Sequence, residues 1–493
     1  MIISTIYCLL FFMIFRFSKI GKIKNMSKWT MPIAFSIKIL IGLFFSYIYI
    51  YSIKETAEPS DAMRFLEESR MLHAVFFKSK SDFFALFTGI GDNARMIHQH
   101  LNKTFIWDAG NFTLINDSRN TIRANCLFHF ISFGSDFVHT ILLCALSLLG
   151  IQQLYISIQP YSKLKPVTLF YSLLLFPSLL FWSSSVLKEP FLILGIGLFS
   201  RACLSDLKLP KKIVIGLLGF LILILFKTYI ILCLFPGILF YLIYKHLFKQ
   251  RLTPSIYTVV LMILLSILIL PKQRQKLTDN LSIKQFNLEN VGKGGIHVYG
   301  VNGFYYFKPC QYKNIKIKGN YLELIHPSDV MFLPYIAKKN EIPKKIHLKI
   351  TREKWLIHII MPGTKSYIKT TNINFSFKQL LFNMPEAITN SLLRPFPTDN
   401  GNFLKYPAML EAWSIILFLI SAIYFRRNTT PKMKGIVSCL FIFSISLMLL
   451  IGWTTPVVGA IVRFRFPAQL ALLIIGFILI DPSKISFKKT KHE

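Results

Sequence analysis

The sequence predicts an α-helical polytopic membrane protein of about eleven transmembrane helices, with a helical first outer loop and a small β-rich outer domain. Three observations predict it. Of 493 residues, 53% are hydrophobic and only 16% are charged, against about 25% in soluble domains, and the mean hydropathy is +0.50. The apolar residues gather in blocks of about 17–22, the length that spans hydrocarbon as helix. The 57 basic residues outnumber the 23 acidic ones, giving a formal net charge of +34, and most of them lie between those blocks. Such hydrophobicity excludes a disordered basic tail and speaks against a soluble nucleic-acid binder.

Spans are read at 2–15, 30–53, 136–158, 167–184, 190–204, 213–226, 228–244, 254–271, 407–425, 435–453 and 467–481. The run 213–244 is too long for one helix, and Lys227-Thr228 divides it; a re-entrant pair is the other reading. Charge sets the orientation. With residues 16–28 cytoplasmic, the cytoplasmic segments hold 22 basic residues, whereas the short opposite segments hold four, Lys188, Lys227, Arg463 and Arg465. Positive charge in short loops marks the cytoplasmic side of a cell membrane, so the N-terminus is expected outside and the C-terminus inside. The chain then divides into 1–53 (two spans), 54–135 (first outer loop), 136–271 (spans three to eight), 272–406 (outer β-rich domain and return helix) and 407–493 (three spans and a basic tail).

The outer loop 54–125 balances nine basic against nine acidic residues. Ser60-Asp61 reads as a helix cap, and 118–133 as an amphipathic helix lying in the interface, with Ile122, Cys126, Leu127, Phe130 and Ile131 on its apolar side. Segment 272–406 carries 21 basic and eight acidic residues. Its stretches HVYGVNGFYYF, NIKIKGNYLELI, KIHLKI and WLIHII are strand-like, so a β domain is expected at 296–370, followed by a helix at 375–394 that returns to the membrane. Five cysteines (Cys8, Cys144, Cys203, Cys233, Cys439) lie in apolar blocks, Cys126 at a block edge and Cys310 in polar sequence. No CxxC or His-Cys spacing occurs, so neither a disulfide framework nor a zinc site is expected, and no motif identifies a cofactor. GKGG at 292–295 lacks the spacing of a P-loop and reads as a turn.

Ionisable groups at a membrane face are costly unless solvated, paired or used. Asp61, amid Glu55, Glu58, Glu67 and Glu68, suits a general base above the bilayer; it equally suits a helix N-terminus on a solvated loop. Lys188-Glu189, between FWSSSVL and Pro190, suits an anionic head group or is a snorkelling turn. Lys227 faces water or phosphate, or snorkels. Arg394 and Glu411 bracket the ninth span, as a phosphate clamp with its partner or as structural ion pairs. Arg463 and Arg465 alternate with Phe464 and Phe466 at an outer surface that disfavours cations, which favours phosphate recognition. Asp136 and His139 share a helix face, as a relay or a satisfied pair, and Lys38 reads as snorkelling from its span.

The acidic outer loop, the Pro-Ser-x-x-x-Trp-Ser-Ser stretch before Lys188-Glu189, the lysine-broken span and the closing G-A-x-x-R-x-R-x-P of Gly459–Pro467 together resemble bacterial GT-C type membrane glycosyltransferases and related cell-surface polysaccharide assembly proteins. The closing segment resembles the last outer loop of lipid-linked sugar transferases of the protein mannosyltransferase and aminoarabinose transferase kind. The resemblance, one of layout over 54–470, implies a polyprenyl-phosphate-linked sugar as donor and a glycan, lipid or protein as acceptor. It implies Asp61 as base, and Arg463 and Arg465 as phosphate ligands. In that family the acidic loop follows the first span and here it follows the second, so Glu58 stands as the substitute base. Other readings are a polysaccharide polymerase or ligase, a lipid-linked sugar flippase, and a non-enzymatic component whose basic β domain binds acidic glycan. The partners common to these readings are membrane lipids and not nucleic acid. Replacing both Arg463 and Arg465 with Ala is expected to abolish glycan output while membrane insertion persists, scored by glycan analysis beside membrane fractionation.

Overall fold

The computed structural model describes residues 2–51, 60–102, 104, 107, 116–301, 303–334, 343–350 and 353–485; Glu58 lies outside them. The chain forms two compact units. The first comprises 1–242, 415–443 and 470–493, and the second 243–414 and 444–469.

The first unit begins with α1 (Ile2–Phe17), α2 (Thr30–Ser46, continued as a wider turn to Tyr51), α3 (Asp61–Lys78), α4 (Lys80–Thr88), α5 (Ala94–His100) and α6 (Asp117–Ser132). It continues with α7 (Asp136–Ile158), α8 (Pro166–Leu174), α9 (Pro177–Trp182), α10 (Glu189–Leu204) and α11 (Leu209–Leu242). The second unit contains α12 (Leu252–Ile269), α13 (Pro271–Lys293), a sheet, α14 (Phe377–Phe382) and α15 (Met384–Leu392). The closing helices are α16 (Lys405–Tyr424), α17 (Pro431–Thr454) and α18 (Val458–Leu479).

Among the described residues, seven helices are long and apolar enough to cross a membrane, against the eleven spans expected. The differences have local causes. α1 and α10 have 16 residues each, about 24 Å of helix against a hydrocarbon core of about 30 Å. The span expected at 167–184 is divided by Pro177 into α8 and α9. The spans expected at 213–226 and 228–244 are the two arms of α11, which meet at Lys227 where helical geometry fails (φ −157°, ψ 65°), and together they count as one long apolar helix. α12 makes the membrane character plain: Leu261, Ile263, Leu264, Leu265, Leu268 and Ile269 are all exposed, and a helix apolar on all sides needs an apolar surround.

Glycines set the packing of the first unit. A Cβ on Gly197 of α10 would lie 2.1 Å from the Gly150 carbonyl oxygen of α7, and one on Gly150 would lie 2.5 Å from that of Ile193. On the other side of α10, a Cβ on Gly219 of α11 would lie 2.6 Å from the Phe199 amide nitrogen. Small residues let backbones meet where no aqueous hydrophobic effect drives helices together.

α6 exposes part of its apolar side, as an interfacial helix would, but packs its polar side into the protein and not toward water. Its polar residues Arg119, Asn120, Arg123 and Asn125 are buried along with Ile122 and Cys126, whereas Leu127, Phe130 and Ile131 are exposed.

The sheet is antiparallel throughout, in the order β3-β4-β7-β1-β2-β5-β6. Its strands are β1 (Gly295–Tyr299), β2 (Gly303–Phe307), β3 (Ile315–Lys318), β4 (Tyr321–Leu324), β5 (Ser328–Pro334), β6 (Lys344–Leu348) and β7 (Lys354–Met361). Ile296, Val298, Phe307, Leu322 and Val330 form its core. The four strand-like stretches account for every strand except β5, whose SDVMFLP mixes polar and apolar residues without clean alternation. The GKGG turn joins α13 to β1, with Gly294 at φ 78°, a conformation that glycine adopts without strain. The return helix breaks into α14 and α15 at Asn383, ahead of Pro385.

Gly197→Val is expected to lower thermal stability in detergent by at least the roughly 1–3 kcal/mol of an overpacked core. Gly459→Ala, whose added Cβ would lie 4.0 Å from Ser366 Oγ, is expected to leave it within about 1 kcal/mol; thermal unfolding of both variants is the check.

Candidate functional site

In the first unit two lysine–carboxylate pairs gather at helix breaks and helix starts. Lys188 is the N-cap residue of α10 and Glu189 its first residue; Asp117 is the first residue of α6. Carboxylates at helix N-termini are favoured by the helix dipole. Lys188 Nζ lies 2.8 Å from Asp117 Oδ2 and donates to Ser118 Oγ at 2.8 Å. Lys227 Nζ lies 3.6 Å from Glu189 Oε1. The pairs differ in access. The Lys188 and Asp117 side chains are 12% and 42% exposed, whereas those of Lys227 and Glu189 are 4% and 1% exposed. Phe191 and Phe226 stack at 4.1 Å beside the inner pair. Lys188-Glu189 is therefore a largely buried junction whose charges are paired within the protein, unlike a snorkelling turn. Burial alone would raise the Asp117 carboxyl, but the charge and hydrogen bond of Lys188 and the charge of Lys227 outweigh it and hold Asp117 below its ordinary pKa.

α6 supplies the rest. Asn120 Nδ2 donates to the Leu225 carbonyl at 2.9 Å, two residues before the break in α11, and its Oδ1 accepts from Arg123 Nη1 at 2.8 Å. Arg119 and Arg123, one turn apart, lie 4.8 and 5.3 Å from the centre of the Trp107 ring, and Arg119 Nη1 lies 3.9 Å from Asp92 Oδ2. Asp117, Asn120, Arg119 and Arg123 were not singled out in the sequence, because the apolar side of 118–133 was taken as the informative one. Their polar spacing at 119, 120 and 123 marks the inward face.

Lys38 does not snorkel. It is fully buried, and its ammonium donates to Ser183 O at 3.1 Å and to Ser183 Oγ and Ser184 Oγ at 2.9 Å each. Those serines begin the buried, non-helical segment 183–188 between α9 and α10, and three acceptors match the three N–H bonds of the ammonium. A Cβ on Gly42, one turn along α2, would lie 2.6 Å from Ser184 O, so α2 meets this segment through its backbone.

The remaining predicted residues fall as follows. Asp61 is exposed at the start of α3, where Ser60 Oγ caps the Met63 amide at 3.3 Å. Asp136 pairs with Arg70 at 2.6 Å, whereas His139 bonds Asn125 at 3.0 Å and Ser132 at 3.2 Å; their different partners replace the relay considered between them. In the second unit Arg394 pairs with Asp399 and donates to Asn390 Oδ1 at 2.8 Å. Arg465 is fully buried and donates to the carbonyls of Ser391, Arg394 and Ala408, with the charge of Glu411 acting on it. Arg463 is half-buried. Removing Arg465 thus strips donors from three carbonyls, so Arg463→Ala alone is the cleaner probe of that segment.

No metal-binding cluster of His, Cys, Asp or Glu occurs among the described residues, and all seven cysteines are free. The chain matches no family model, no curated protein and no solved structure. The site consists of one lysine–carboxylate pair whose carboxylate reaches solvent, backed by a second pair sealed from water.

Lys227→Met leaves the Glu189 charge buried and is expected to cost about 3–5 kcal/mol, whereas Lys227→Met with Glu189→Gln is expected to recover part of that loss. Thermal unfolding of the single and double variants in detergent measures the coupling.

Proposed function

We propose that the chain is a membrane glycosyltransferase that moves a sugar from a polyprenyl-phosphate-linked donor to a glycan, lipid or protein acceptor on the outer face of the cell membrane. The observation that carries this reading is the open Lys188–Asp117 pair beside the sealed Lys227–Glu189 pair. A donor phosphate that docks on Lys188 takes over as its counter-ion and frees Asp117. The freed carboxylate accepts the proton of the acceptor hydroxyl. The acceptor oxygen bonds to the anomeric carbon as the sugar–phosphate C–O bond breaks, and the electron pair leaves on the polyprenyl phosphate. Lysine charge stabilises that leaving group. The resemblance supplies Asp61 or Glu58 as the other candidate base, and Arg394, Arg463 and Arg465 as further phosphate ligands. The eleven-span topology with the N-terminus outside belongs to the same reading.

The breaks at 183–188 and at Lys227 favour a second reading, a flippase of the same lipid, because transporters place substrate at interrupted helices. A polymerase or ligase of lipid-linked oligosaccharides would use the same cations.

Purified protein given a radiolabelled polyprenyl-phosphate sugar and an acceptor is expected to form a covalent product. Lys188→Ala and Asp117→Asn should each cut the rate about 100-fold or more. Full rates in both variants would remove this site from the reaction, and lipid translocation in vesicles without covalent product would establish the flippase. For topology, a variant that keeps only Cys310, which is exposed, is expected to react with a membrane-impermeant maleimide in right-side-out vesicles. Labelling only after permeabilisation would reverse the orientation.

A further inference from the structure

The second unit contains a polar cleft of about 480 Å³ lined by Lys369, Thr370, Thr371, Asn372, Asn374 and Gln379. Its size falls within the roughly 300–1,000 Å³ of small-molecule sites, and its lining carries three amides, two hydroxyls and one ammonium beside the carbon atoms of the same side chains. The loop that forms it is held in place from three directions. At its start, Ile368 N donates to Pro456 O at 2.8 Å and Val458 N to Ser366 O at 3.0 Å. From α13, Gln285 accepts from Ile373 N at 2.9 Å and donates to Thr371 O at 3.0 Å, and Ser282 Oγ accepts from Phe375 N at 3.1 Å. From α15 and the residue before it, Glu386 accepts from Thr371 N at 3.1 Å and Asn383 donates to Thr371 O at 3.0 Å.

These bonds take up main-chain groups of the loop, while among the lining side chains Gln379 Nε2 donates to Asn383 Oδ1 at 2.8 Å. They also hold two consecutive non-glycine residues, Asn374 (φ 52°) and Phe375 (φ 56°), in the left-handed region. Such strain persists only where the surroundings over-determine it, and it concentrates at binding sites. Thr370 is 8% exposed, and its Oγ1 has no hydrogen-bond partner among the described residues. A buried hydroxyl without a partner costs free energy, so the loop keeps a second locally unfavourable feature beside the cleft.

We infer that this cleft is a saccharide subsite for a polyhydroxylated ring bearing an acidic group. Amides and hydroxyls can both donate to and accept from sugar hydroxyls, and Lys369 supplies the charge for a carboxylate or phosphate substituent. The inference is independent of the transfer reaction, since it concerns binding alone.

The test uses the full chain in nanodiscs with trigalacturonate as probe, followed by saturation-transfer NMR and titration. Trigalacturonate is expected to bind, and neutral maltotriose about tenfold more weakly. Lys369→Ala should remove that difference. Asn374→Gly keeps a residue that tolerates positive φ while deleting the amide, and should weaken trigalacturonate at least tenfold without changing thermal stability. Lys188→Ala should bind as the parent does, so failure of the transferase reading leaves this result standing. Absence of binding, equal binding by Asn374→Gly, or equally tight binding of a short polyglutamate, which has carboxylates but no hydroxyls, would each overturn the inference.

Discussion

Backbone contact between α10 and its two neighbours is the constraint on which the first unit depends. Gly150 and Gly197 bring α7 against α10, and Gly219 brings α11 against its other side. With no side chain between them, α10 cannot move laterally, and its first residue, Glu189, is fixed beside the point where α11 loses its helical geometry. The Lys227–Glu189 pair is thus a consequence of glycine packing. Its burial is tolerable because the two charges face each other, next to the stacked rings of Phe191 and Phe226.

Interrupted helices demand partners for the main-chain groups they release, since hydrocarbon offers none. Two such demands are met by side chains from elsewhere in the sequence. Asn120 serves the Leu225 carbonyl near the α11 break. Lys38 and Ser147 serve Ser183, the latter donating to its carbonyl at 2.7 Å. The polar residues of α6 and α2 therefore face inward because the breaks need them there, and the apolar side of α6 is left outside. In the second unit Arg465 plays the corresponding part for the carbonyls that follow α15.

What could be read from sequence follows the same division. Hydropathy and basic clustering depend on composition over long windows, and they located the long helices. Alternation located six of the seven strands. The break at Lys227 was legible because one charge interrupts an apolar run. Burial was not legible. Asp117 looked like one more residue of a solvated loop, and Lys38 like a snorkelling lysine, because nothing local says which neighbour a polar side chain meets. Lys188 and Glu189 stand out in sequence by their charge, but their pairing with Asp117 and Lys227 does not. The cleft at 369–379 carries no motif at all. Its shape comes from Gln285, Ser282, Asn383 and Glu386 acting on a loop that sequence shows only as polar.

The short helices have a consequence for the lipid around them. α1 and α10, of 16 residues each, fall short of an unperturbed hydrocarbon layer. A bilayer relieves such hydrophobic mismatch by thinning next to the short element. Head groups are drawn toward the mid-depth of the protein where it thins. An annulus of this kind brings lipid phosphates nearer the end of α10, where Lys188 stands.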